Sequence, residues 1–220
     1  MIRYGIAKIL NYQRENGTRE LIRKCLIKLK NELFYYSKEV VGCLSVVDLI
    51  FYAHPKISVT VRAAEFSDLP ELKILVTGYK KRDFLQWIND NYIFYIAQLQ
   101  NPAAKKIIGY ICVCPAHKSK HKLVSILKLK NTDYWAVDAY IHPEYRGKGI
   151  NSAIASEFLA QAKREGYKRG YGAISFNNNA SRRSYAIIGE KEIGVFTTLT
   201  IMGFTFYSLK RNEGNEEYFN

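Results

Sequence analysis

The sequence predicts a mixed α/β domain built on a mixed sheet and preceded by a helical segment. Three observations predict it. Past His54-Pro55, apolar residues recur with period two in some stretches and at helical spacing in others. The order is strand, short helices, hairpin, strand, helix, strand, helix and two strands, which is not the alternation of a doubly wound sheet. One strand also runs through a glycine-rich loop straight into a helix, at Tyr140 to Asn151.

Composition supports a packed domain. The 220 residues are 48% apolar and 24% charged, with 17 Tyr and 11 Phe, which excludes a wholly disordered or collagen-like chain. No apolar run reaches the roughly 18–20 residues of a membrane span. The best, Val40 to Ala53, is short and interrupted by Asp48. The first residues, Met1-Ile2-Arg3-Tyr4-Gly5, lack the apolar stretch and small-residue site of a leader, so a cytoplasmic location is expected.

Four cysteines are too few for a disulfide framework. Cys112, Cys114, His117 and His121 lie close together, but zinc ligand pairs are normally about a dozen residues apart, and no metal is expected. The net charge of +13 suits an anionic partner, whether nucleic acid, membrane or nucleotide cofactor, and does not choose among them. Residues 1–57 hold ten Lys+Arg and five acids, and Ala104 to Thr132 holds seven lysines and no acid.

The first third reads as helical. Gly17 precedes Thr18, a capping residue, Glu20 sits in the first turn, and Leu21, Ile22, Cys25, Leu26, Leu29 and Leu33 recur at helical spacing. With Arg23, Lys24, Lys28 and Lys30 off that stripe, residues 18–34 suit either docking on the following domain or peripheral membrane contact. Ser58 to Arg62 alternates as a strand. Ser67 to about Thr77 and Lys81 to Asn89 read as helices, the second carrying Phe84, Leu85 and Ile88. Tyr92 to Leu99 and Lys106 to Cys114 form a hairpin around Gln100-Asn101-Pro102-Ala103. A lysine-rich loop leads to a strand from Tyr134 to Ile141. A helix from about Gly149 to Arg164 presents Ile150, Ile154, Phe158 and Leu159 on one face, with Gly166 past its end. Tyr171 to Phe176 is a strand, Asn179 to Ile188 a helix, and Glu192 to Ile201 with Phe204 to Leu209 a closing pair around Met202-Gly203. The tail, Arg211 to Asn220, is polar and expected to be mobile. The organisation is thus a helical segment 1–57, a domain 58–210 and a tail 211–220.

The chemistry concentrates at Tyr140 to Asn151. Glycines let backbone approach a phosphate closely, and N–H groups at a helix N-terminus point at it with the helix dipole behind them. Arg146 and Lys148 can add charge at the rim. A solvated basic turn reads equally well from these residues alone.

The stretch resembles the acetyl-CoA-binding motif of the GNAT superfamily of N-acetyltransferases, Arg/Gln-x-x-Gly-x-Gly/Ala after the fourth strand. Arg146 and Gly149 fit. Asn151 stands where the pattern has Gly or Ala, which enlarges a side chain but leaves its N–H available. His142-Pro143-Glu144-Tyr145 is similar to the family too. So is Asn178 to Tyr185, which matches Asn-x-x-Ser-x-x-x-Tyr through Asn178, Ser181 and Tyr185, with Gly189 four residues on. The resemblance runs from about Ser58 to Lys210.

It implies that N–H groups of Gly147, Lys148, Gly149, Ile150 and Asn151 hold the pyrophosphate and that the backbone of Ala139 and Ile141 pairs with the pantetheine arm. It also implies that Tyr185 donates a proton to the CoA sulfur and that Asn178 contacts pantetheine or substrate. A tyrosine on a short helix also packs as a core residue, and Asn178 also serves as a plain helix cap. No general base is evident. Trp135, Val137 and Ala139 share one strand face, and Asp138 points to the other, in a structural role, unless a bulge re-aims it; a water chain is the alternative route for the proton.

The expected function is acetyl transfer from acetyl-CoA to a primary amine of a small molecule, amino sugar or peptide, with no metal and no nucleic-acid partner. The lysines of 115–132 suit an acceptor bearing a carboxylate or phosphate, or are a solvated loop. Residues 1–57 suit completion of the acceptor pocket, a homodimer contact or a membrane contact. Two other readings stay open: a GNAT domain that binds acyl-CoA without transfer, and a basic nucleic-acid or membrane-surface protein on the same scaffold.

Overall fold

The computed structural model describes residues 17–20, 22–23, 33–47, 54–75, 87, 89–90, 92–100 and 106–219. Its strands are β1 (Phe34–Ser45), β2 (Val59–Ala63), β3 (Ile93–Leu99), β4 (Ile107–Pro115), β5 (Asp133–Ile141), β6 (Arg169–Ser175), β7 (Lys191–Ile201) and β8 (Phe204–Arg211). The helices named here are α1 (Leu69–Leu75), α2 (Lys122–Leu127), α3 (Ile150–Arg164) and α4 (Asn179–Ile187). The strands form one mixed sheet in the order β2-β3-β4-β5-β6-β1-β7-β8. β5 and β6 are parallel, while β2 to β5, and β6 with β1, pair antiparallel. Among the described residues no helix is long and apolar enough to cross a membrane.

The chain divides into two compact units, 39–195 with 211–220, and 1–38 with 196–210. In the larger unit α3 lies on the sheet. Its predicted face, Ile150, Ile154, Phe158 and Leu159, is buried among Leu44, Ile108, Ile111 and Val113. The entry to α1 is held by Arg62, whose guanidinium makes two hydrogen bonds to the buried Asp68 carboxylate at 2.7 and 2.8 Å. That pairing lowers the Asp68 pKa from its ordinary value. In the smaller unit, Met202 (φ 49°) and Gly203 (φ 85°) take the two left-handed positions of a two-residue hairpin turn between β7 and β8.

Three expectations are corrected. The helical reading of the first third fails for residues 34–45, which form β1 and pair with β6 from Glu39↔Ser175 to Ser45↔Arg169. Val40 to Leu44 are all buried. An apolar run covered on both faces carries no period, so pattern alone does not separate strand from helix there. Within 115–132, read as a loop, α2 forms with His121 as its cap, its Nδ1 accepting the Leu123 N–H at 3.3 Å. Leu123, Val124 and Leu127 are buried at helical spacing, a signal masked by its shortness and by the lysines on either side, Lys122 and Lys128. The tail is packed rather than mobile: Tyr171 Oη donates to the Tyr218 carbonyl at 3.0 Å, and Asn212 N–H to Ile193 at 2.9 Å. Most of the predicted 18–34 helix, Phe84, Leu85 and Ile88 of the 81–89 helix, and the turn residues 101–103 lie outside the described residues.

Candidate active site

The site begins where two parallel strands stop pairing. β5 and β6 are in register from Asp133↔Arg169 to Ala136↔Gly172, and past that point each continues as a strand beside a different neighbour. A bulge marks the change: Val113 pairs with Ala136 and Cys112 with Asp138, so Val137 is the extra residue on β5. His142 N–H donates to Ile108 on β4 at 2.8 Å. By strand alternation the main-chain groups of Tyr140 face β4 as well, and those of Ala139 and Ile141 face away from it, toward the opening.

The bulge re-aims Asp138. Opposed residues share a face, so Asp138 joins Cys112, Tyr110 and Tyr140 rather than the α3 side. Tyr110, fully buried, donates its hydroxyl to the Asp138 carboxylate at 2.5 Å. The two chemistry-bearing groups therefore sit together where the strands part.

After β5, a single turn at Pro143–Tyr145 leads into the glycine loop. Gly147 has φ 72° and Gly149 φ 77°, both left-handed and both suited to glycine. Gly149 caps α3 without a side-chain hydrogen bond, and its carbonyl accepts the Ala153 N–H at 3.0 Å. The N–H groups of Ile150, Asn151 and Ser152 stand in the first turn, where no intrahelical acceptor exists. Lys56 N–H donates to Lys148 at 2.9 Å and steadies the loop from behind. The loop thus offers an anion cradle made of backbone.

The two rim cations rest on neighbouring groups. Arg146 folds back, its Nε donating to the Ile141 carbonyl at 3.0 Å and its guanidinium lying 5.8 Å from the Tyr140 ring centre. Lys148 Nζ lies 5.1 Å from the Tyr145 ring centre. Asn151 Nδ2 donates to Ser184 Oγ at 3.1 Å, which ties α3 to α4. Asn178 caps α4 by accepting the Ser181 N–H at 3.2 Å, so its oxygen serves the helix.

Tyr185 packs on the core from α4, and its hydroxyl bonds to the Asn151 side chain. Burial first, then the Glu190 charge, pushes its pKa well above the ordinary value. The phenol therefore keeps its proton at neutral pH. Behind it lies a cavity of about 20 Å³ lined by Leu44, Ile111, Tyr134, Phe158, Tyr185 and Glu190.

Sequence reasoning missed Glu190. Burial pushes its pKa up to about 8, with repulsion from Glu192 adding to the effect. The signal was indirect. Gly42 interrupts the apolar run of β1, and a Cβ there would overlap the Glu190 carboxyl. The cysteines and histidines considered as ligands have other places. Cys112 and Cys114 are buried on β4, and His121 stacks on Trp135 with ring centres 4.7 Å apart. Among the described residues no group of three or more His, Cys, Asp or Glu is arranged to hold a metal.

Residues 61–189, more than half the chain, match the family model described as acetyltransferase (GNAT) family. The chain belongs to the GNAT acetyltransferase family. The GNAT match spans β2 to the end of α4 and includes the glycine loop and Asn178 to Gly189. No curated protein sequence matches the chain.

Solved structures share the fold at low identity. A GCN5-related N-acetyltransferase from Sphaerobacter thermophilus has 12% identity and a TM-score of 0.56, over 86% of this chain and 56% of that one. A Drosophila protein has 11% identity and a TM-score of 0.56, over 86% and 59%. A GCN5-related glucosamine N-acetyltransferase region of a fungal multi-domain GH3 β-N-acetylglucosaminidase has 15% identity and a TM-score of 0.54, over 80% and 22%. The chain thus spans well under two thirds of these three relatives, and the likeness is one of fold.

Proposed function

We propose that this chain transfers an acetyl group from acetyl-CoA to a primary amine by direct attack of the amine on the thioester. The observation that carries the reading is the parting of β5 from β6 at the Val137 bulge, with the glycine loop and the start of α3 at its end. An arm laid in that opening meets the main-chain groups of Ala139 and Ile141, and its pyrophosphate meets the N–H groups of residues 147–151. The Ile141 carbonyl, now held by Arg146, has a second lone pair, and Arg146 is free to turn toward a bound phosphate.

The amine nitrogen forms the new C–N bond as the C–S bond breaks. We assign two proton movements. Asp138, brought beside the opening by the bulge, accepts the proton leaving the amine, directly or through water. Tyr185 donates its hydroxyl proton to the departing thiolate and recovers it from solvent, and its raised pKa keeps it protonated until then. The acceptor class follows from the family: a primary amine on a small molecule, sugar or peptide.

Calorimetric titration with acetyl-CoA, with desulfo- and dephospho-CoA as comparators, tests the reading. Saturable 1:1 binding that weakens without the 3′-phosphate supports it, and acetyl-CoA consumption across an amine panel then finds the acceptor. No binding at millimolar concentration overturns it.

A further inference from the structure

A second cavity lies at the far end of the β5–β6 pair. Its volume is about 230 Å³ and its lining includes Lys128, Lys130, Lys168, Arg169, Asp133 and Tyr218. Two separate stretches of chain bring the cations together: Lys128 and Lys130 follow α2, and Lys168 and Arg169 lead into β6, while Tyr218 and Phe219 of the C-terminal turn close the side. Asp133 begins β5 while the glycine loop follows its end at Ile141, so the two sites are roughly 26 Å apart along an extended strand.

The lining is built rather than incidental. Lys168 N–H donates to the Thr132 carbonyl at 2.8 Å, fixing one wall to the other. Arg169 Nη1 donates to the Glu217 carbonyl at 3.0 Å, and Lys191 Nζ donates to Tyr218 Oη at 2.9 Å. The carboxylate in the lining, Asp133, is 5% exposed and accepts the Lys130 N–H at 2.8 Å, closing a turn. It interacts with two of these cations, Lys130 and Arg169, but it is the one carboxylate in a lining that also holds Lys128 and Lys168, so the recess stays net positive. Lys128 has φ 53° and ψ 45°, a left-handed helix stop that glycine fills without strain. A lysine there carries backbone strain that glycine would not, and it places a cation on the cavity wall.

Like charges gathered around one recess repel, and an anion between them relieves that repulsion. We propose that this cavity binds a small metabolite with two or more anionic groups, phosphate or carboxylate, independently of the acetyl donor. The volume lies below the roughly 300–1,000 Å³ of pockets for drug-sized ligands, which fits a compact polyanion. The site also reassigns part of the lysine cluster of 115–132, because Lys128 and Lys130 face this recess. The proposal does not depend on the donor reading.

The full chain is titrated calorimetrically with inorganic pyrophosphate and with citrate, each in the presence of saturating CoA; if CoA does not bind, the same titrations are run without it. A Lys128→Ser/Lys168→Ser variant is compared with Lys118→Ser/Lys122→Ser, which changes net charge equally elsewhere. Saturable binding of at least one anion at one per chain is expected, weakened roughly tenfold per lysine removed at the cavity and unchanged in the control variant. Pyrophosphate alone binding assigns a phosphate ligand, and citrate alone a carboxylate. No saturable binding of either anion, or equal weakening in both variants, overturns the proposal.

Discussion

The carboxyl group of Glu190 rests directly on Gly42, so closely that a Cβ at position 42 would overlap Glu190 Oε1. Gly42 lies on β1 opposite Gly172 of β6, and Glu190 immediately precedes β7. A strand glycine here makes room for a carboxyl. Gly42→Ala is therefore expected to cost about 1–3 kcal/mol, the usual range for overpacking a filled core. In a Glu190→Ala background the space is open and the same change should cost little. Urea unfolding of the four proteins gives the coupling, and equal costs in both backgrounds would exclude this contact as the cause.

Burial of Glu190 also links stability to pH. Its folded pKa, about 8, lies above the ordinary 4.5 because burial opposes the charged form. The folded state therefore binds its proton more tightly than the unfolded state. This contribution is fully present below pH 4.5 and is lost progressively as pH rises toward 8, by at most about 1.4 kcal/mol per pH unit. Tyr134 and Tyr185 share its cavity, and Glu192 is the nearby charge that reinforces the shift. Melting temperature should fall between pH 5 and 8, and Glu190→Gln should flatten that fall. A slope unchanged in the variant would assign the titration to another group.

Gly149 tests the anion cradle. Its φ of 77° disfavours any β-branched residue, although a Cβ would meet only His54 O at 3.5 Å and Pro55 Cα at 3.6 Å. Gly149→Val should thus move the loop rather than disrupt the core. Circular dichroism should stay native while acetyl-CoA affinity falls below detection by calorimetry. Unchanged affinity would remove residues 147–151 from the donor site.

Much of this was legible in the residues. The α3 face was readable because a one-sided helix carries its period openly. The glycine loop was readable because left-handed backbone favours one residue type. β1 was not, because burial on both faces removes the alternation. Asp138 was legible only as a condition, since one inserted residue at Val137 reverses which face it joins. Glu190 was hidden because nothing local marks a carboxyl as buried; the trace of it lies far away in sequence, in the glycine at 42.

Asp138→Asn addresses the proton acceptor. The amide keeps the shape and can still accept from Tyr110, yet it takes up no proton. We expect kcat to drop by roughly 10²-fold or more with acetyl-CoA affinity retained. The pH–rate profile should also lose the acidic limb that a carboxylate base produces. A profile unchanged in shape would assign the proton to water and leave Asp138 a partner of Tyr110.

Tyr185 is the sharper case, because two roles make opposite predictions. As a packing residue it contributes its ring, which phenylalanine reproduces, so Tyr185→Phe would leave turnover near the original. As the proton donor it contributes one oxygen, whose loss leaves the thiolate to depart unprotonated. Turnover should then fall roughly 10²–10⁴-fold. Its hydroxyl also bonds to Asn151, the residue in the last position of the glycine loop, so a loss of activity has to be separated from a loss of that tie. Asn151→Ala removes the tie and keeps the phenol. If it retains most of the turnover while Tyr185→Phe does not, the oxygen acts on the sulfur rather than on the loop. A substrate with a better leaving thiol should restore part of the Tyr185→Phe rate, since a weaker base needs less help from an acid. Equal rates for both thioesters in the variant would rule out proton donation by Tyr185.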